Sequence, residues 1–137
     1  MRILTDVRHL SDNQKTGVGE YTSELLRALF AIDRKNAYEL FSSGLKRPAS
    51  GTERIASHLR LPNKLLKLTT LAANWPKIDH VATRRPDLLW LPNLNFTAIS
   101  PDIRYVLTIH DLSWIHFPEY FSRKMRLWHR GTRPAKL

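Results

Sequence analysis

Apolar residues in this chain come in two kinds of block, short continuous runs and longer stretches in which they recur every three or four positions. "RILTDV" is a β-type run that predicts a strand over residues 2–6, ending in the polar stretch "RHLSDNQKT". In "TGVGEYTSELLRALFAIDRKN", Val18, Tyr21, Leu25, Leu29 and Ile32 recur at spacings of 3, 4, 4 and 3, which predicts a helix with those five on its apolar face. Glu20 suits the positive end of that helix, and Arg34 and Lys35 its negative end. "AYELFSS" (37–43) predicts a second strand, closed by "SGLKRPASG", whose Gly, Pro and Ser mark an exposed loop. "NKLLKLTTLAANW" predicts a helix between Pro62 and Pro76, and Pro76 itself holds a helix-start position in "PKIDHVATRR". "DLLWLP", with Pro86 before it and Pro92 at its end, reads as a buried strand. "IRYVLTIHD" (103–111), rich in β-branched and aromatic residues, predicts the strongest strand, and "PEYFSRKMRLWHR" resumes a helical pattern.

This order predicts an α/β fold, a Rossmann-like parallel sheet with flanking helices, because short continuous apolar strands suit a sheet covered on both faces. About four strands are legible where a doubly wound sheet usually has five or six, so an incomplete sheet with an uncovered edge is expected. The 137 residues fit one domain with a real core. An apolar share of 42% and a mean hydropathy of −0.36 describe a soluble globular chain. No run approaches the roughly 20 apolar residues of a spanning helix, and "MRILTDVRHL" lacks the features of a signal peptide, which places the protein in the cytoplasm.

With no cysteine, disulfides, thiolate nucleophiles and Cys-type zinc sites are excluded. A net charge of +10 favours anionic partners: nucleic acid, phosphorylated small molecules or acidic lipid headgroups. The excess is concentrated. Residues 122–137 hold six basic side chains and no acidic one, and residues 45–68 hold six opposed by Glu53 alone. A solvated basic face accounts for these tracts as readily as a binding surface does. No helix-turn-helix or stacking platform points to specific nucleic-acid binding.

Candidate chemistry falls at the predicted strand ends. In "TGVGEY", between the first strand and first helix, Gly17 and Gly19 permit close approach of a ligand to backbone N–H groups at a helix start; the alternative is a flexible helix entry. It is a poor dinucleotide fingerprint, since Thr22 stands where a third glycine belongs, and no P-loop is present. His110 and Asp111 close the strongest strand, on the rim where parallel sheets bind ligands and where Gly17 and Gly19 also lie. Against that stands a structural reading: Asp111 caps a turn and His110 is a hydrogen-bonded, partly buried histidine. "LPNLNF" sets Asn93 and Asn95 after another strand, suited to hydroxyl-rich ligands or simply to a loop. His110, Asp111 and His116 lack the spacing of a metal motif, and Ser113 lacks nucleophile-elbow glycines, so neither a metal nor a Ser-His-Asp site is expected.

Taken together, "MRILTDVR", "TGVGEYTSELLRAL", "LWLPNLNF", "VLTIHDLSWIHFPEYFS" and "RLWHR" resemble the N-terminal half of the family 4 (group 1) glycosyltransferases of the GT-B fold. The likeness follows the family's order along nearly the whole chain; only residues 44–85 lack a recognisable motif. The resemblance implies a retaining transferase that moves a sugar from a nucleotide-activated donor to a cell-surface, lipid-linked or other saccharide acceptor, as in polysaccharide biosynthesis. It implies no metal and no cofactor beyond the nucleotide sugar as substrate. It matches Gly17, Val18 and Gly19 to the loop near the donor diphosphate and His110 to the histidine facing the transferred sugar or acceptor, with Asp111 structural. Nothing here matches the spaced glutamates of the family's C-terminal domain. Residues 1–137 are thus expected to be a partial, acceptor-side domain without the nucleotide-sugar-binding domain, inactive alone. The other reading is a basic, non-enzymatic module for nucleic acid or an anionic membrane, the latter meeting "NKLLKLTTLAANW" with Lys64 and Lys67 near headgroups, at the inner membrane face.

Overall fold

A strand covered on both faces needs residues that tolerate burial at nearly every position, and β1 (Arg2–Asp6) has them: Ile3, Leu4, Thr5 and Asp6 are all buried. The computed structural model, which describes residues 1–11, 16–45 and 57–132, places β1 at the centre of a parallel sheet. β2 (Ala37–Ser43) pairs with β1 from Arg2↔Ala37 to Asp6↔Phe41. β4 (Leu88–Leu91) pairs with its other side from Ile3↔Leu88 to Thr5↔Trp90. β3 (Ser57–Leu59) and β5 (Tyr105–Leu107) complete the order β3-β2-β1-β4-β5, with every pairing parallel. The chain steps outward from β1 to β3 and then crosses to β4. That reversal sets the switch point, where such sheets open a crevice, between β1 and β4.

Helices cover both faces. α1 (Gly17–Ile32) brings Leu26, flanked by Leu25, Leu29 and Phe30, onto Ile3, Val7, Leu40 and Trp90. On the other face Ile78, from the single turn α3 (Ile78–Val81), and Ile103 pack with Leu4, Phe41, Leu89 and Leu91. α2 (Asn63–Ala73) precedes α3, and α4 (Ser113–His116) and α5 (Arg123–Thr132) follow β5. The molecule is therefore an α/β, Rossmann-like open sheet flanked by helices. Among the described residues no helix is long and apolar enough to cross a membrane.

Several sequence expectations need correction. The described residues form five strands, not four: β3 is only "SHL", too short for a periodicity signal, and is fixed by its register with Phe41–Ser43. β5 ends at Leu107 rather than Asp111. Thr108 N–H still donates to Leu91 O at 2.9 Å, but the next residue of the partner strand is Pro92, which has no N–H to continue the ladder. The buried line of α1 runs through Thr22 and Leu26, while Tyr21 and Ile32 are exposed. Thr22 is tolerated there because its hydroxyl donates to Val18 O at 2.9 Å. Gly17 and Gly19 lie in the first turn of α1, not in a loop before it. Arg34 and Lys35 fall beyond the helix, whose C-cap is Asp33. Its carboxylate, held far below the usual range by hydrogen bonds from Asn36, Tyr38 and the Lys35 N–H, ties α1 to β2. Pro76 stands two residues before α3, with Lys77 as N-cap. Residues 46–51 of the predicted loop, and the basic tail from Arg133, lie outside the described residues.

Candidate functional site

The carboxyl end of β1 runs directly into a buried ion pair. In the tight turn that begins at Arg8, the Arg8 side chain folds back so that Nε donates to Asp6 Oδ1 at 2.9 Å and Nη2 to Asp6 Oδ2 at 2.6 Å; the backbone N–H of Arg8 donates to the same carboxylate at 3.1 Å. The two side chains are 3% and 4% exposed. Nη2 also donates to Thr97 Oγ1 at 2.7 Å, and the guanidinium lies 5.5 Å from the centre of the Phe41 ring. Burial alone raises the Asp6 carboxyl, but the Arg8 charge and its hydrogen bonds together outweigh it and hold the group below its ordinary value. The neighbouring His9 Nε2 lies 3.0 Å from Thr22 Oγ1. The Thr22 proton is committed to Val18 O, so the hydroxyl accepts and His9 carries its proton on Nε2.

Arg8 and His9 form one wall of a cleft of about 260 Å³ that opens beyond β1 and β4, at the switch point. Asn93, Leu94 and Asn95, which follow β4, form the second wall. Asn63 and Lys67 of α2 and Trp128 of α5 close it. Asn95 Oδ1 accepts from the Phe96 N–H at 2.9 Å and Asn63 Oδ1 accepts from the Ser43 hydroxyl, so both amides offer their NH₂ groups as donors. The cleft is below the ~300–1,000 Å³ of pockets for drug-sized ligands and suits one small polar ring. A wider depression of about 380 Å³ lies at the opposite, amino edge of the sheet, where Arg85 pairs with Asp102 and Asp87 accepts from the Arg2 backbone N–H at 2.7 Å.

His110 reaches the same rim from beyond β5. Its Nε2 lies 2.8 Å from Pro92 O, and since a carbonyl only accepts, Nε2 holds the proton. Its ring meets the edge of Tyr21, in the first turns of α1, at 5.1 Å. His110 thus bridges the loop that carries Asn93 and the helix that starts at Gly17. Thr16 caps that helix by accepting from the Gly19 N–H at 3.1 Å. A side chain at 19 would press on this cap at 3.3 Å, while one at 17 would meet only open space. The N–H groups of Gly17 and Val18 belong to the turn whose amides have no partner inside the helix. Asp111 points elsewhere: its Oδ1 accepts from the Ser113 N–H at 2.9 Å and from the Ser113 hydroxyl, which start α4 and lower its carboxyl pKa. His116 is exposed beside Phe117. Among the described residues no three His, Asp or Glu side chains gather as a metal site requires.

Sequence reasoning named Asn93, Asn95 and His110 but missed Arg8, His9, Asn63, Lys67 and Trp128. It also set Lys67 beside Lys64 near membrane headgroups, whereas Lys67 lines the cleft. Trp128 is held edge-on to Phe96 at 5.8 Å and to His129 at 4.8 Å, and His129 stacks flat on Trp114 at 4.8 Å. Burial in this cluster pushes the His129 ring below its ordinary 6.5, against the opposing pull of Asp111. The released ring therefore binds a proton more readily than the stacked one, so the cluster is at full strength above that value and loosens as pH falls below it. Near-UV circular dichroism from roughly pH 8 to pH 5 is expected to lose Trp signal in that window, and His129→Phe should flatten the profile. An unchanged profile in the variant would place the titration elsewhere.

Fold and rim together define a Rossmann-like α/β domain with a polar cleft at its switch point. No protein-family model, curated protein or solved structure matches the chain.

Proposed function

We propose that the cleft is the acceptor pocket of a retaining, family 4-type glycosyltransferase, and that this domain is its acceptor-side half. The observation that carries this reading is the lining of the cleft: amide donors from Asn63, Asn93 and Asn95 around a small volume, one aromatic wall from Trp128 and, among the described residues, no carboxylate. Saccharides are bound by fixed hydrogen-bonding groups to their hydroxyls and by an aromatic surface against their C–H face. The rim adds what transfer from a nucleotide sugar needs. As the glycosidic bond to the diphosphate breaks, negative charge grows on the leaving group, and the N–H groups of Gly17 and Val18, which the helix itself does not use, suit that charge, with no side chain at 17 in the way. The bond to Pro92 O holds the His110 ring in place at the rim, where it can orient a sugar hydroxyl without serving as base. No pair of carboxylates of the glycosidase kind is required. The donor itself is a substrate, held mainly by a second domain, and the domain alone is proposed to have no transferase activity. The nucleic-acid reading has weaker support: Arg8, Arg27 and Arg85 are paired with carboxylates, and charge alone is non-specific.

Titrating the ¹⁵N-labelled chain with neutral monosaccharides and disaccharides tests the proposal. Saturable shifts are expected at the Asn93, Asn95 and Trp128 side-chain N–H groups, with Kd of about 1 mM. Replacing Asn93 and Asn95 together by Ala should weaken binding about tenfold or more, since each lost hydrogen bond is worth roughly 1 kcal/mol. Absence of these shifts, or a tighter and salt-sensitive response to an oligonucleotide at the same residues, would refute it.

A further inference from the structure

α2 is built inside out. Of its eleven residues only Leu66 is buried, and polar Asn63 and Lys67 are the ones turned to the cleft. Leu65, Leu68 and Leu71 are 44%, 60% and 56% exposed, and Trp75, just past the Asn74 cap, is 60% exposed. Spacings of three and four along 65, 68, 71 and 72 put the leucines, with exposed Ala72, on one outward stripe of the helix, and exposed Trp75 follows just beyond its end. A surface helix ordinarily does the reverse. Single exposed leucines need no explanation, whereas a contiguous apolar row marks a surface that something covers.

The chemistry around the stripe selects the occupant. Residues 57–78 contain no Asp or Glu, while Arg60 and Lys64 are exposed beside the leucines. A second copy of the chain would set these cations against their own kind on a molecule already at +10. We propose that the outward face of α2 docks on an anionic lipid bilayer. The helix lies in the interface plane, its leucines enter the acyl boundary, Trp75 sits at headgroup level, and Arg60 and Lys64 meet lipid phosphates. The cleft is lined by another face of the same helix, that of Asn63 and Lys67. Docking rests on this surface alone and stands whether or not the cleft binds saccharide.

Flotation of the purified chain with vesicles of phosphatidylcholine alone, or with about 30% phosphatidylglycerol added, is the test. Binding to the anionic vesicles is expected to be at least about tenfold stronger, and Leu68→Gln with Leu71→Gln should weaken it by about tenfold or more. Both positions are exposed, so the melting curve should not move. The blue shift of tryptophan emission on binding should vanish in Trp75→Phe, which leaves Trp90, Trp114 and Trp128 in place. Equal binding to both vesicles, no binding, or binding untouched by the double variant would overturn the proposal. So would lipid-free self-association that the double variant abolishes, which would give the leucine face to a second copy.

Discussion

Arg8→Ala is expected to destabilise the fold by about 3–5 kcal/mol, a large part of the 5–15 kcal/mol that holds a typical domain together. The variant strands the Asp6 carboxylate in the protein interior with its strongest partner gone, removes the donor to Thr97 Oγ1, and uncovers the face of Phe41. Arg8→Lys should recover little, because one ammonium cannot reproduce the two-pronged contact of Nε and Nη2 with both carboxylate oxygens. Replacing both partners by apolar residues of similar volume, Asp6→Val with Arg8→Met, should recover most of the loss, since no buried charge is then left alone. The deficit also has a pH signature. Asp6 titrates below its ordinary 3.8 when folded, so the pair's stabilisation is present above that value and fades as pH falls through the folded pKa. Urea unfolding at neutral pH and near pH 3 should show the gap between wild type and Arg8→Ala narrowing in acid. A gap independent of pH would mean that the variant acts through packing alone.

That ion pair shows how far the chain could be read from its letters. β1, β2 and β4 were legible because a strand buried on both faces must be apolar along its length, and "RILTD", "AYELFSS" and "LLWL" come close to that. β5 was over-read because "TIHD" keeps a β-type look past the point where Pro92 ends its partner; the limit is set by another strand, 16 residues earlier. β3 left no trace because three residues carry no period, and what fixes it is non-local, namely its ladder with β2 and the Ser57 hydroxyl bound to Glu39. The apolar spacing in α1 missed Thr22, a polar residue made tolerable in the core by bonds to Val18 and His9. The α2 helix was legible between Pro62 and Pro76, but its sequence does not say which side faces in.

The site was legible wherever one rule sufficed. Polar residues after a buried strand lie on the rim where parallel sheets open, and this rule reached Asn93 and Asn95, which line the cleft; His110 does not line it and is tied to their loop through Pro92 O. Asn63, Lys67 and Trp128 reach the cleft from helices 26 to 35 residues away in sequence from Asn93, a distance that folding alone closes. Arg8 did carry a local signal. An acid at the end of a buried strand, followed two residues later by an arginine, is the pattern of a charge that must be neutralised where it stands.

Phe41→Ala is the second large effect, expected at about 3–5 kcal/mol. The ring is fully buried at the centre of the α3-side core, pairs in register with Asp6, and lies under the guanidinium of Arg8. Truncation therefore opens a cavity among Leu4, Leu89 and Leu91 and removes the surface on which the ion pair rests. Phe41→Leu keeps most of the volume and should cost less, about 1.5 kcal/mol, leaving mainly the lost contact between the ring face and the cation. The two contributions separate in a double-mutant cycle between Phe41→Leu and the joint replacement of Asp6→Val with Arg8→Met, measured by urea denaturation. If the ring supports the guanidinium, Phe41→Leu should cost about 0.5–2 kcal/mol less once Arg8 is gone, because only the apolar packing remains to be lost. Strict additivity would reduce Phe41 to a core residue and leave Asp6 and Thr97 as the whole of what positions Arg8 at the cleft.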